Sequence, residues 1–292
     1  MTEAEEQFLL RNQLPDSYLE SAEKWFSRLI EAYKAPQHPA LVIGINGTQG
    51  SGKSTLADYL CTVLNERYDL HCVSLSIDDF YLTKDQRHQL ATEVHPLLAT
   101  RGVPGTHDIA LALQTLDSLL TQNDAGETIV PRFDKSCDDR QPLSQWDKVS
   151  GAVDIIVLEG WCIGAKPQQE AALSEAINKL ETKQDAEGIW RHYINKTLAN
   201  DYQALFKRID QLVMLRAPSF ETVFNWRREQ EEKLIARLGD SAQHHSGIMS
   251  AQQVADFIAH YQRITEHSLR EMPERADHLF QLDDQRRITS AQ

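Results

Sequence analysis

The sequence is poor in the features that would stiffen or anchor a chain from outside. It has only four cysteines, Cys61, Cys72, Cys137 and Cys162. They are scattered and form no CxxC pair, which excludes a zinc ribbon, a dithiol redox motif and a disulfide framework. Cys61 and Cys72 lie in apolar stretches and read as buried reduced thiols. No apolar run approaches the roughly 20 residues that span a bilayer. The first residues, MTEAEEQFLL, are acidic and lack the basic-then-apolar order of a signal peptide. A cytoplasmic protein with no membrane partner is expected. Positive charge is also short: 30 Lys and Arg stand against 43 Asp and Glu, a net charge of -13. That argues against broad nucleic-acid binding, which needs a basic surface, but leaves room for a small anionic ligand in a local basic pocket. There is no internal repeat or low-complexity tract. The guanine motif N-K-x-D is missing too: in INKTL, Leu198 occupies the position that requires Asp, within a helical pattern. Nothing in the sequence addresses oligomeric state.

What is present suits a sizeable α/β core. The chain has 292 residues, 41% hydrophobic and 25% charged, enough for one large domain or two small ones. Residues 5–34 read as helix split by Pro15, and KAPQHPA as a linker. A strand is expected at 41–46, then a helix from Lys53 to about Arg67. Further strands are expected at 71–77, 153–158, 211–216 and 278–283, with helices over 108–121, 168–183, 193–209, 219–238 and 250–271. The middle strand candidates are apolar without strict alternation, as in a parallel sheet buried on both faces. Strands alternating with helices imply a doubly wound fold. The expected organisation is an N-terminal helical extension, 1–38, packed on a domain covering 39–292. His244 and His245, adjacent in the polar segment 239–250, read as solvated loop residues rather than metal ligands.

Immediately after LVIGI comes GTQGSGKST at 47–55. It fits G-x-x-x-x-G-K-[ST] in the strand–loop–helix context that the motif requires. Gly47, Gly50 and Gly52 let the backbone turn tightly so that its N–H groups face a polyphosphate, with Thr48, Gln49, Ser51 and Thr55 completing the loop. The helix from Lys53 adds its positive end. Lys53 is expected to reach the β- and γ-phosphates, and the Ser54 hydroxyl to bind Mg²⁺. ATP and Mg²⁺ are the expected cofactors.

In open α/β sheets ligands sit at the carboxyl ends of the strands. There the sequence offers Asp78 and Asp79 in DDFY, Glu159 in EGW, and Arg216 at the end of QLVMLR. One carboxylate of the Asp pair could accept a proton from a substrate hydroxyl while the other orients it or binds metal through water. Glu159 could hold Mg²⁺ or its waters. Each could also be a turn residue. A phosphate loop, carboxylates and an arginine on one rim make a phosphoryl-transfer site.

Several pieces together, GINGTQGSGKST, SIDDFYLT, RGVPGTHD at 101–108, PRFDKSCDDR at 131–140, VLEGW and FNWRREQEEKL at 224–234, resemble the phosphoribulokinase/uridine kinase group of P-loop kinases. Within it the chain most resembles the D-glycerate 3-kinase type of plants, yeast and bacteria. The resemblance runs from about residue 40 to the C-terminus. It implies a three-layer P-loop fold with a parallel sheet of about five strands and helices on both faces, and an ATP-dependent kinase of a small hydroxy acid.

By this resemblance Asp78 matches the general base and Glu159 the acidic residue near the metal. The helix at 219–238 matches the lid, with Arg227 or Arg228 approaching the transferred phosphoryl group. On the acceptor side, Arg101 or His107 could meet an anionic group, since arginine forks match carboxylates. Thr106 or His107 could instead cap the next helix. PRFDKSCDDR offers Arg132, Asp134, Lys135 and Arg140; here the segment after DKS is shorter than in family members. Asp79 and Tyr81 complete the acceptor-side set. Two other readings compete. One is a kinase of uridine, pantothenate or another alcohol, with Phe80, Tyr81 and Trp161 available for stacking. The other is an ATP-dependent switch that phosphorylates no small molecule.

Overall fold

The computed structural model describes residues 1–35, 40–238 and 249–292. The N-terminal part holds α1 (Glu3–Asn12) and α2 (Ser17–Tyr33), separated at Pro15 as expected, and then β1 (Leu41–Gly47), α3 (Lys53–Tyr68) and β2 (Cys72–Ser76). There follow α4 (Lys84–Glu93), α5 (Ile109–Thr121), β3 (Glu127–Val130), β4 (Phe133–Asp134), β5 (Asp139–Arg140), β6 (Asp147–Ser150) and β7 (Ile155–Gly160). The C-terminal part comprises α6 (Lys179–Gln184), α7 (Ile189–Ala199), α8 (Asp201–Phe206), β8 (Gln211–Arg216), α9 (Phe220–Leu238), α10 (Ala251–Glu271), β9 (His278–Leu282) and β10 (Ile288–Ala291).

The main sheet runs β10-β9-β8-β1-β7-β2. All five expected strands are in it and are parallel; β10 adds a sixth, antiparallel, at the edge. All six residues of β7 and six of the seven in β1 are buried, because helices cover both faces. β1 lies between β7 and β8, so the chain leaving it passes over the switch point of the sheet, where ligands bind. The register aligns Glu159 with both Ile45 and Ser76. The end of β7 is thereby flanked by the start of the Gly-rich loop and the approach to Asp78.

Some local expectations are corrected. Residues 168–183 are not one helix: a 3₁₀ turn at Glu170–Leu173 precedes α6. The stretch 193–209 is two helices, broken at Asn200, whose φ of -106° and ψ of -82° are not helical. INKTL lies within α7. The helix α4 was not expected; its mean hydropathy is low and a Thr83–Gln86 capping box sets its start. The small pairs β3–β6 and β4–β5 were likewise unexpected, the latter being too short for periodicity to reveal. Most of the linker (36–39), and His244 and His245, lie outside the described residues.

The helices α1 and α2 lie against α3. Arg11 donates to Asp58 at 2.7 Å and Arg67 to Glu5 at 2.7 Å, while Phe8 packs against Tyr18 and Tyr59. Phe26 of α2 meets Phe280 of β9 edge-on, with ring centroids 5.0 Å apart. Each such buried aromatic contributes roughly 1.5–3 kcal/mol by area removed from water. This packing sets α2 beside the start of α3, where the Gly-rich loop ends.

Candidate active site

The loop has the form of an anion cradle. Gly50 and Gly52 have φ of 77° and 90°, and Gly52 stands at the N-cap of α3 with no side chain capping it. The side-chain oxygens of Thr48, Gln49 and Ser51 are buried and have no hydrogen-bond partner. Buried polar atoms without partners are costly, and phosphate oxygens or their waters would satisfy the donors among them. The loop is clamped from behind. Arg286, in the turn between β9 and β10, donates to the Gly50 carbonyl at 2.9 Å and pairs with Glu229 of α9 at 2.6 Å. Its guanidinium lies over the Trp226 ring, and the Trp226 indole N–H donates to the Asp284 carbonyl at 2.7 Å. A methyl group at position 50 would meet Trp226 Cβ at 2.9 Å, so the approach needs glycine on steric as well as dihedral grounds.

Behind the loop, Ser54 Oγ donates to Glu159 Oε1 at 2.9 Å, and Lys53 Nζ stands 3.9 Å from Glu159 Oε2. Glu159 is buried and its Oε2 has no hydrogen-bond partner. A hydroxyl and a carboxylate, both hard oxygens, are the donor types that Mg²⁺ takes. Among the described residues no group of three or more His, Cys, Asp or Glu side chains could hold a metal by itself.

Two cavities meet at the loop. One, of about 780 Å³, runs along Gly50–Leu56 to Tyr18, Lys24 and Trp25 of α2 and to Arg287 and Ile288. The other, of about 410 Å³, is lined by Lys53, Asp78, Tyr81, Arg101, Lys135 and Arg227 among others. Gly50, Lys53 and Gln230 line both.

Asp78 is the carboxylate in the smaller cavity. Its Oδ1 accepts from the Tyr81 hydroxyl at 2.9 Å and its Oδ2 from Lys135 Nζ at 2.6 Å. Burial pushes its pKa up, but Lys135 and Lys53 pull harder and hold it at about 2. Asp79 faces elsewhere. It pairs with Arg132 at 2.6 Å and accepts from the Phe133 N–H, tying the 131–140 segment to the end of β2. Burial raises its pKa despite these bonds. Asp79 is not among the residues lining the smaller cavity.

The RGVPGT loop is held by rings. Trp161 donates to the Gly102 carbonyl at 2.9 Å and Tyr261 to the Arg101 carbonyl at 3.2 Å. Gly102 has φ of 137°, and a methyl there would clash with the Tyr261 hydroxyl. Arg101 lines the cavity and pairs with Asp138. Asp138 is pinned by the fully buried Arg87, which donates to its carboxylate at 2.7 Å and its carbonyl at 2.9 Å.

His107 is buried, stacked on Tyr81 with centroids 4.4 Å apart, and Nδ1 lies 2.5 Å from the Tyr202 hydroxyl. That hydroxyl also accepts from the Gly105 N–H at 3.1 Å. Burial lowers the imidazole pKa to about 4, outweighing the pull of Asp78, so at neutral pH His107 is no cation. It lines a separate cavity with Asp108 and Tyr193, not the one holding Asp78. Asp108, rather than Thr106 or His107, caps α5. Asp134 is part of the hairpin turn, accepting from Ser136 N–H at 2.8 Å, and Arg140 donates to the Tyr81 carbonyl and to Asp108. Neither lines the cavity. Arg216 donates to the Leu269 carbonyl at 3.2 Å, so it braces β8 against α10 instead of joining the rim.

The two arginines of α9 separate. Arg227 lines the cavity, pairs with Glu231 at 2.8 Å and lies over the Phe257 ring. Arg228 is about half exposed, pairs loosely with Glu232 and lines neither cavity. The rings offered for base stacking are engaged: Phe80 is buried, Tyr81 is on His107, and Trp161 is edge-on to Tyr261 at 4.8 Å. Gln230, Glu231, Phe257 and Tyr261 of α9 and α10 also line the cavity. Gln230 and Glu231 fall in the FNWRREQEEKL piece, but nothing in the sequence points to Phe257 and Tyr261, which sit far along the chain from the strand ends.

No family model matches the chain. Individual proteins do. An uncharacterised kinase of Schizosaccharomyces pombe, mug58, is 36% identical over 244 residues, covering 80% of this chain and 83% of that protein. The chloroplastic D-glycerate 3-kinase of Arabidopsis thaliana is 33% identical over 233 residues, which are 76% of this chain and 46% of the plant protein. The probable ATP-dependent kinase TDA10 of Saccharomyces cerevisiae is 30% identical over 76% of this chain and 75% of its own length. Among solved structures, D-glycerate 3-kinase from Cryptococcus neoformans superposes with a TM-score of 0.74 at 26% identity, covering 95% of this chain and 99% of that one.

Proposed function

The chain belongs to the D-glycerate 3-kinase family of P-loop kinases, and on that premise we propose that it transfers the γ-phosphoryl group of ATP to the 3-hydroxyl of D-glycerate. The reading is carried by one observation: the phosphate loop and the Asp78 carboxylate line two cavities that meet at Gly50 and Lys53.

In this reading the triphosphate lies along residues 47–55, held by loop N–H groups and the N-terminus of α3. The nucleobase occupies the wider part of the larger cavity, against Trp25 and Lys24 of α2 and Ile288. The helical extension thus completes the nucleotide site. Ser54 and Glu159 would hold Mg²⁺, whose charge, when bound, offsets that of the phosphate oxygens. Asp78 takes the proton of the acceptor hydroxyl. The hydroxyl oxygen forms a bond to the γ-phosphorus as the bond from that phosphorus to the bridging oxygen breaks, and ADP departs with the electron pair. Lys53 and Arg227 stand where negative charge builds up on the transferred group. Arg101 and Lys135 supply the positive charge for the acceptor's carboxylate.

A nucleoside acceptor is disfavoured because Phe80 is buried and Tyr81 is already stacked on His107. A switch without an acceptor leaves the second cavity and its carboxylate without a use. Among the described residues no helix is long and apolar enough to cross a membrane. The four free thiols fit a reducing compartment such as the cytoplasm, and the net charge of -13 fits a small-molecule partner rather than nucleic acid.

The test is an acceptor panel of D-glycerate, glycerol, pantothenate and uridine with ATP and Mg²⁺, products identified by mass spectrometry. Phosphoglycerate forming in step with ADP supports the reading. Phosphorylation of uridine instead, or ATP hydrolysis indifferent to every alcohol, overturns it.

A further inference from the structure

The tip of the hairpin β4–β5 touches the acceptor cavity twice, through Lys135 in its lining and through Asp138, which pairs with the lining residue Arg101. Lys135 Nζ bonds Asp78 Oδ2 at 2.6 Å, and Asp138 bonds Arg101. The two ends are held differently. Asp138 has a left-handed φ of 57° and is fixed by the buried Arg87 through both its carboxylate and its carbonyl. The Lys135 side chain is 60% exposed, and Asp78 is its ion-pair partner. One end of the tip is anchored, and the other is a long cation on a flexible stem.

We propose that Lys135 couples recognition of the acceptor's carboxylate to release of the base, so that an acid is phosphorylated and the same alcohol without its carboxylate is not. The proposal rests on the reading of Asp78 as general base.

Both oxygens of Asp78 already accept a bond, one from Tyr81 and one from Lys135. A hydroxyl that passes its proton to the Oδ2 lone pair now engaged by Lys135 takes the place of the ammonium. The groups facing Asp78 are Lys53 from α3, Lys135 from the hairpin, Tyr81, the neutral His107, and Tyr261 and Cys162. Of the cations, Lys53 belongs to the phosphate loop. Lys135, on the exposed hairpin tip, can turn to another anion. While it bonds Asp78 it also weakens the base, since a carboxylate beside an ammonium holds a proton poorly. A carboxylate bound between Arg101 and Lys135 offers the ammonium a new partner and leaves Oδ2 to the hydroxyl, restoring basicity at the moment of reaction. A neutral alcohol makes no such offer. Lys135 is in this sense a positioning residue, acting on the reaction through Asp78.

The experiment compares kcat/KM for two pairs that differ in the carboxylate, D-glycerate with glycerol and pantothenate with panthenol, in the wild type, Lys135→Met and Lys135→Arg. The side chain is mostly exposed, so both variants are expected to fold. In the wild type the acid is favoured about 100-fold or more. Lys135→Met loses about that factor on the acid while the alcohol is unchanged or faster, bringing the two within a few-fold; Lys135→Arg keeps most of the preference. The pH profile moves as well. Removing the ammonium raises the pKa of Asp78, so the acidic limb of kcat/KM shifts upward by a pH unit or more. An unchanged acid-to-alcohol ratio in Lys135→Met overturns the proposal, as does equal loss on both with an unmoved pH profile. So does a wild type that turns over the alcohol as readily as the acid. Failure of the glycerate assignment shows separately, as preference for the other acid, with the ratio then read on that pair.

Discussion

Ser54 Oγ lies 2.9 Å from Glu159 Oε1, although 105 residues separate them in the chain. The parallel pairing of β1 with β7 makes the contact, by setting Ile45 beside Glu159 just where β1 gives way to the loop. The pairing of β2 with β7 sets Ser76 on the other side of Glu159, two residues before Asp78. One carboxylate at the end of one central strand thus stands between the phosphate loop and the approach to Asp78.

From this contact follows a metal dependence. Ser54→Ala removes the hydroxyl and is expected to raise the Mg²⁺ concentration for half-maximal rate about tenfold. Glu159→Gln keeps the shape but removes the charge, and should lower kcat by ~10²-fold at saturating Mg²⁺. Mg²⁺ titrations of the steady-state rate measure both. Unchanged Mg²⁺ dependence in both variants contradicts the assignment.

The lid arginines should behave unequally. Arg227→Met removes a cation lining the acceptor cavity and should lower kcat by ~10²- to 10³-fold with ATP binding little altered. Arg228→Met removes an exposed side chain paired with Glu232 and should change kcat by less than about threefold. Equal loss in the two variants contradicts the separation.

If α2 forms the wall against the nucleobase, Trp25→Ala should raise the KM for ATP about five- to tenfold without changing kcat, the mark of lost uniform binding. ATP should also alter the intrinsic fluorescence of the wild type more than that of this variant. The same KM for ATP in both would exclude α2 from the site.

His107 gives a pH dependence of stability. Its pKa is about 4 in the folded chain and near 6.5 when unfolded. Between those values the unfolded chain binds more protons, so stability rises with pH. The contribution is complete above about 6.5 and is lost as pH falls towards 4. His107→Gln should flatten the dependence of the unfolding free energy on pH between 4.5 and 6.5 by up to about one proton's worth of slope. Urea unfolding across that range measures it; an unchanged slope contradicts the neutral, buried state of the ring.

The sheet and the phosphate loop were legible because strand runs, glycines and the Lys-Ser pair are local signals, and each strand end marks the rim. Asp78 and Lys53 were read that way and line the smaller cavity, with Lys53 3.9 Å from Glu159; Arg101, which came from the RGVPGTHD resemblance, lines it too. The acceptor side was less legible. Asp79 and Arg132 look like site residues in sequence, but they are each other's partners. Nothing in RGVPGTHD tells that His107 is turned to Tyr202 and kept neutral by burial. The four-residue tip from Lys135 to Asp138 is too short for any periodicity, yet it touches both Asp78 and Arg101. Arg87, Trp226 and Arg286 act through tertiary contacts alone. Their support of the site could not be read from positions so distant along the chain.

The most direct test is ³¹P NMR of ATP, Mg²⁺ and D-glycerate with the wild type and with Asp78→Asn, at enzyme concentrations that bind ATP equally. The wild type is expected to convert ATP to ADP and 3-phosphoglycerate in equal amounts. The variant is expected to do so at least ~10²-fold more slowly, since the proton acceptor is gone and the phosphate loop is intact. Glycerate left unphosphorylated by the wild type, or phosphorylated as fast by Asp78→Asn, would contradict the account.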